Sequence, residues 1–185
     1  GDDVKDTVIK NANDAFKTAG MSANEYMETV TGFSKSMIVS LNGDTKKAAE
    51  LSDQALRDMS DNANTFGTDM QSIQNAYSGF AKGQFNMLDN LKLGYGGTKT
   101  EMERLLKDAE KLSGKKYDVS NFADITEAIH QIQVASNIAG TTQAEAMGTI
   151  EGSINATKSA WSAEPTCSIY LFTITSQNFS SSSMV

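Results

Sequence analysis

The chain has 185 residues, a net charge of -7 and a mean hydropathy of -0.37. A single cysteine, Cys167, excludes an intrachain disulfide scaffold, and one cysteine with one histidine, His130, excludes most zinc sites. The acid surplus argues against a dedicated duplex-DNA binder, and no run of about 18 apolar residues is present to span a bilayer.

The only proline is Pro165, so everything before it suits helices, where proline costs about 3 kcal/mol. Every charged residue lies at or before Glu164, which sets residues 165–185 apart in composition. The length is expected to make one domain or two small ones. The opening Gly-Asp-Asp-Val-Lys-Asp has neither a basic nor an apolar leader segment, and no initiator methionine stands there. The chain is therefore expected to be a piece of a longer protein.

Glycines and polar caps divide the chain. A first helix is predicted over 3–19, ending at Gly20. Ser22 and Glu25 have capping-box spacing and open a second, running to Leu41, with Tyr26, Val30, Phe33, Met37 and Leu41 on one face. Gly43-Asp44-Thr45 is a stop and a restart, and the third helix runs to Phe66. Thr68 or Asp69 caps the fourth, built on Met70, Ile73, Tyr77 and Phe80.

Residues 79–97 are glycine-rich, with a short turn expected over 87–91. Thr98 and Glu101 form a second capping box, opening a helix on Met102, Leu105, Leu106, Ala109 and Leu112 that Gly114 ends. After a connector, the rhythm of Phe122, Ile125, Ile129, Ile132, Ser136 and Ala139 predicts a helix stopped by Gly140. Thr142 and Glu145 make a third capping box for a last helix on Met147, Ile150, Ile154, Thr157 and Trp161. The expected fold is all-α: seven helices in antiparallel hairpins or an irregular bundle, compact or elongated, with no tandem repeat. Residues 167–175 read as a strand or as unstructured, and the Ser-rich run 177–183 as disordered.

Chemical motifs are few. Gly94-Tyr-Gly-Gly-Thr-Lys-Thr100 looks like a phosphate loop, but Thr98 stands where a Walker loop needs glycine before its lysine, and no apolar strand precedes it. A helix-opening turn is expected instead. Glu127-Ala-Ile-His130 has ligand-pair spacing, yet a di-iron bundle needs two such motifs, so a surface or half-buried histidine is expected. No serine or cysteine has a histidine–carboxylate set around it, and no catalytic, cofactor-binding or metal residue is assigned. Residues 99–116 carry six basic side chains against four acidic ones. Arg104, Lys107 and Lys111 lie at helical spacing there, and a solvated face with a Glu103–Lys107 pair is expected.

Several blocks carry a resemblance. Met21-Ser-Ala-Asn-Glu-Tyr-Met27, Asp58-Met-Ser-Asp-Asn-Ala-Asn64 and Met70-Gln-Ser-Ile-Gln-Asn-Ala-Tyr-Ser-Gly-Phe80 occur in order. Met87-Leu-Asp-Asn-Leu-Lys-Leu-Gly-Tyr-Gly-Gly-Thr-Lys-Thr-Glu-Met-Glu-Arg-Leu-Leu106 is the most specific, and the block from Glu145-Ala through Gly152-Ser-Ile-Asn-Ala-Thr-Lys-Ser-Ala-Trp161 closes the series. In these residues the chain resembles phage tail tape-measure proteins, over residues 14–161.

The resemblance implies a non-enzymatic virion protein of a long-tailed phage or prophage. It would be made in the bacterial cytoplasm and occupy the lumen of the tail tube, whose length it sets. Its implied partners are the tail tube, tail tip and terminator proteins, with self-association; it implies no cofactor, no specific nucleic acid and no membrane span. Residues 1–161 correspond to the core region of the family. Residues 162–185 depart from its helical continuation and are expected to be an aberrant terminus, because Ser162-Ala-Glu-Pro-Thr166 can be encoded so that a one-nucleotide shift reads Gln-Gln-Asn-Leu-Leu. Phe80, Leu93, Tyr95 and Arg104 are the candidate contact residues. The competing reading is a secreted helical effector or adhesin-like binding module.

Overall fold

A computed structural model describes residues 2–148. Among these the fold is all-α, with seven α-helices and one 3₁₀ turn. They are α1 (Asp2–Ala19), α2 (Ala23–Ser40), α3 (Thr45–Phe66), α4 (Met70–Phe80), the 3₁₀ turn Leu88–Leu91, α5 (Lys99–Ser113), α6 (Phe122–Ala135) and α7 (Thr141–Gly148). The expected continuation of the last helix through Ile150, Ile154, Thr157 and Trp161 lies outside the described residues. So do the expected strand-like and Ser-rich stretches.

Local chemistry explains most boundaries. Gly20 closes α1 at φ +64, a left-handed conformation that side chains with a Cβ resist. Ser22 then opens α2: its hydroxyl accepts the Glu25 N–H while the Glu25 carboxylate accepts the Ser22 N–H, a complete capping box. Asp44 and Asp69 cap α3 and α4 through their carboxylates. Asn121 does two jobs. Its carbonyl oxygen caps α6 by accepting from Ala123 and Asp124, and its amide donates to the Ser40 carbonyl at the end of α2.

The third helix is the axis of the body, touching α1, α2, α4, α6 and α7. Its Leu51, Ala55, Leu56 and Met59 are buried, facing Tyr26, Phe33 and Met37 of α2, Ile73, Tyr77 and Phe80 of α4, and Ile125 and Ile129 of α6 within one core. Phe33 meets Phe122 edge-on at 6.1 Å, joining α2 to α6. The small residues Ala12, Ala15 and Ala19 line the buried face of α1, which lets that helix sit close to its neighbours. The fifth helix packs on α6 through Met102, Leu105, Leu106 and Ala109, whereas Leu112, expected in that stripe, is 53% exposed.

Two expected elements are corrected. The sixth helix stops at Ala135, short of Ala139, because Asn137 turns left-handed at φ +56. The Asn137 N–H then bonds the Val134 carbonyl and the Ile138 N–H bonds the Gln133 carbonyl, the paired bonds of a Schellman stop. Ile138 is buried all the same, so the apolar rhythm outlasts the helix. The seventh helix has no capping box from Thr142 and Glu145. It starts two residues earlier, at Thr141, and the Asp61 carboxylate of α3 accepts the N–H groups of Gly140 (2.6 Å) and Thr142 (2.8 Å).

Candidate interaction surface

The glycine-rich segment before α5 is built as a locked platform. Leu88 and Leu91 of the 3₁₀ turn are buried beneath it, and the buried Asn62 amide of α3 donates to the Leu91 carbonyl at 2.8 Å. Above, the Arg104 guanidinium lies 4.5 Å over the Tyr95 ring, donates to the Gly94 carbonyl (2.8 Å) and bonds Glu101 (2.5 Å). The Tyr95 hydroxyl donates to Asp108 at 3.1 Å. Partial burial and then that bond to Asp108 push the Tyr95 phenol up to about 12. The Arg104 and Gly96 donors hold Glu101 below the usual carboxylate range, and Lys111 then Tyr95 do the same for Asp108.

The second expected capping box is therefore half formed. Thr98 accepts the Glu101 N–H at 3.2 Å, but the Glu101 carboxylate turns away to the Gly96 N–H (3.1 Å) and Arg104. A glycine-rich turn at a helix start is suited to an external anion. Here one of the chain's own carboxylates occupies that role. The loop is structural before it is anything else.

Gly97 anchors it. A Cβ built at this position would lie 2.5 Å from the Asn86 carbonyl oxygen and 3.0 Å from its carbon, both backbone atoms, and 3.3 Å from an Asp89 carboxylate oxygen. Gly97→Ala is expected to cost about 1–3 kcal/mol through forced displacement of the 3₁₀ segment. Gly94→Ala, in open space at φ +86, meets conformational strain alone, about 1–2 kcal/mol. Thermal melts of the two variants check this: a Gly97→Ala protein as stable as the parent removes the anchoring role.

Of the four candidate contact residues, the structure brings Tyr95 and Arg104 together at the surface of this platform. Leu93 is half-buried against the core. Phe80 is not on the surface: it is 2% exposed, with ring centroids 5.7 Å from Tyr77 and 6.2 Å from Phe85. Replacing Arg104 with alanine is expected to speed amide exchange at Gly96 while leaving the core amides of α6 protected. Exchange of Gly96 at the parental rate would mean the clamp does not hold the loop. The basic side chains of α5 pair differently from expectation, with Glu103 facing Lys99 at 4.0 Å and Lys111 bonding Asp108 at 2.8 Å.

Sequence reasoning missed the buried polar face of α3, where Asp53, Asp58, Asp61 and Asn62 lie among apolar neighbours. Each aspartate serves a different helix. Asp53 accepts the Tyr26 hydroxyl of α2 at 2.8 Å and pairs with Arg57 of its own helix. Asp58 faces His130 of α6, whose Nδ1 lies 2.9 and 3.1 Å from its two oxygens. Asp61 caps α7. The expected half-buried histidine is thus observed, its side chain 27% exposed, but Glu127 turns to Lys115 at 2.5 Å. Among the described residues no group of three or more His, Cys, Asp and Glu side chains is arranged to hold a metal.

A cleft of about 810 Å³ opens between α2 and α4 over α3, with Phe33, Met59 and Met70 in its walls and Glu25, Glu28 and Gln71 among its polar lining. No described helix is long and apolar enough to cross a membrane. Among the described residues the surface carries the Tyr95–Arg104 platform and this mixed cleft. Comparison with protein-family models, curated proteins and solved structures finds no match to this chain.

Proposed function

We propose that this chain is the core region of a phage tail tape-measure protein, a non-catalytic assembly module working in the lumen of the tail tube. The support is the agreement of the ordered sequence blocks with that family, the Met87–Leu106 block above all. The observation that carries the reading is physical: the unusual residues of this block are used jointly. Gly97 seats against the Asn86 backbone, Glu101 holds the Gly96 amide, and Arg104 clamps Tyr95 and Gly94. A family-specific string whose members interlock is more than a run of helix-forming residues. Its product is a stiff surface feature suited to protein contact, with tail tube, tail tip and terminator proteins or a second copy as the partners.

The test is genetic and visual. Tails purified from an induced host should contain peptides of residues 2–148, and in-frame removal of residues 87–106 should abolish tails or leave them of irregular length in electron micrographs. Tails of normal number and length after that deletion overturn the reading. Recovery of the protein free in the culture medium, with no tails, also overturns it, in favour of a secreted helical effector.

A further inference from the structure

We propose that Asp58, His130 and Asp61 form a proton-operated latch that holds α7 on α3, shut while His130 is an imidazolium and slackened when the ring is neutral. The proposal starts from how α7 is attached. None of its described residues is fully buried and Met147 is 77% exposed; α7 rests on α1 as well as α3, with the Thr142 methyl against Gly20. The polar tie to α3 is Asp61, which accepts from the Gly140 and Thr142 amides at 2.6 and 2.8 Å, with the Thr141 hydroxyl at 3.4 Å. The preceding loop turns the chain sharply, Asn137 and Gly140 both being left-handed, at φ +56 and +87.

Asp61 does not act alone. Asp58 lies one turn before it on the same face of α3, and both carboxylates are 2% exposed or less. Two buried like charges at that spacing repel strongly in a poorly polarisable interior. The compensating charge is His130, whose Nδ1 contacts both Asp58 oxygens. Arg57 is committed to Asp53. The remaining charged or titratable neighbours do not replace the imidazolium. From α3, Glu50 lines the cleft beside the pair and adds negative charge; from α6, Glu127 is bonded to Lys115; from α4, Tyr77 is held neutral by complete burial. Thr18 of α1 and Gln143 of α7 are uncharged. A cleft of about 290 Å³ among these groups gives Asp61 room to turn outward.

The bond to Asp58 raises His130 above its ordinary value, and burial raises Asp58. A group whose folded value is raised stabilises the folded arrangement below the unfolded value of about 6.5 and loses that contribution as pH rises through the folded one. The latch is therefore tight below about pH 6.5 and slackens as pH rises through the raised folded value of His130.

Amide exchange of the ¹⁵N-labelled full chain, corrected for base catalysis, reads this directly. Protection at Gly140 and Thr142 should fall severalfold between about pH 6 and about pH 8.5, as the His130 ring loses its proton. The midpoint should coincide with that of the His130 Cε1–H shift, while Ile129 in α6 stays protected. His130→Gln, which keeps a donor but cannot titrate, should flatten the profile, and Asp61→Asn should lower protection at both pH values. Unchanged protection in the parent, or a midpoint away from that of the ring, overturns the latch without any variant. An identical fall in a folded His130→Gln protein does so as well.

Discussion

Phe80→Ala is expected to destabilise the fold by about 3–5 kcal/mol, the range for truncating a fully buried phenylalanine, and to lower the melting temperature by roughly 10 °C. The ring stands between Tyr77 and Phe85 and closes the apolar space beneath the 3₁₀ turn. Removing it forfeits the transfer energy of the side chain and leaves a cavity bounded on one side by Tyr77, itself 1% exposed. The backbone there cannot easily collapse, because the Gly83 and Gln84 amides are bonded to the Phe80 and Gly79 carbonyls. Urea titration followed by circular dichroism measures the loss. A change below about 1 kcal/mol would place Phe80 among ordinary surface residues and return it to the list of contact candidates.

That residue illustrates which parts of this molecule could be read from its sequence. The helix periodicities were legible because Tyr26, Val30, Phe33 and Met37, or Met102, Leu105, Leu106 and Ala109, recur at the spacing that puts them on one face, and each set is buried. Caps were legible where donor and acceptor are three residues apart, as at Ser22, Asp44 and Asp69. The misses have the opposite character. Asp61 caps α7 from about 80 residues away, and nothing in the local string Thr142–Glu145 reports that a better acceptor arrives from another helix. Asn137 ends α6 while Ile138 remains buried, so a pattern that scores apolar spacing continues past the true stop.

The platform was half legible for the same reason. The Gly-rich loop and Thr98 are local signals, whereas the bond from Arg104 to the Gly94 carbonyl and the one from Tyr95 to Asp108 depend on how the loop folds over α5. Phe80 was expected at a contact surface, yet it belongs to the apolar stripe of α4 and lies in the core. Membership in a distinctive string says that a residue matters. Burial says in which way.

The aspartates of α3 lead to the last expectation. Asp53→Ala should cost about 2–3 kcal/mol, and the cost should come mainly from the hydroxyl it abandons. Asp53 is 3% exposed and Tyr26 1%, so the Tyr26 hydroxyl would be left buried without its acceptor. Arg57 is in a different position: its side chain is 45% exposed and can return its charge to water. The same geometry raises the Tyr26 phenol far above its ordinary value, through burial first and the Asp53 charge second. Asp53→Asn keeps an acceptor for the hydroxyl and gives up only the pairing with Arg57, so it should be the milder change. The decisive comparison is the double variant Tyr26→Phe with Asp53→Ala. Removing both ends of a buried hydrogen bond strands nothing, so the pair should be less destabilised than the sum of the two single variants by about 1–2 kcal/mol. Additive single and double variants in urea unfolding would mean that α2 is held to α3 by its apolar face alone, with the Tyr26–Asp53 bond contributing nothing to their registration.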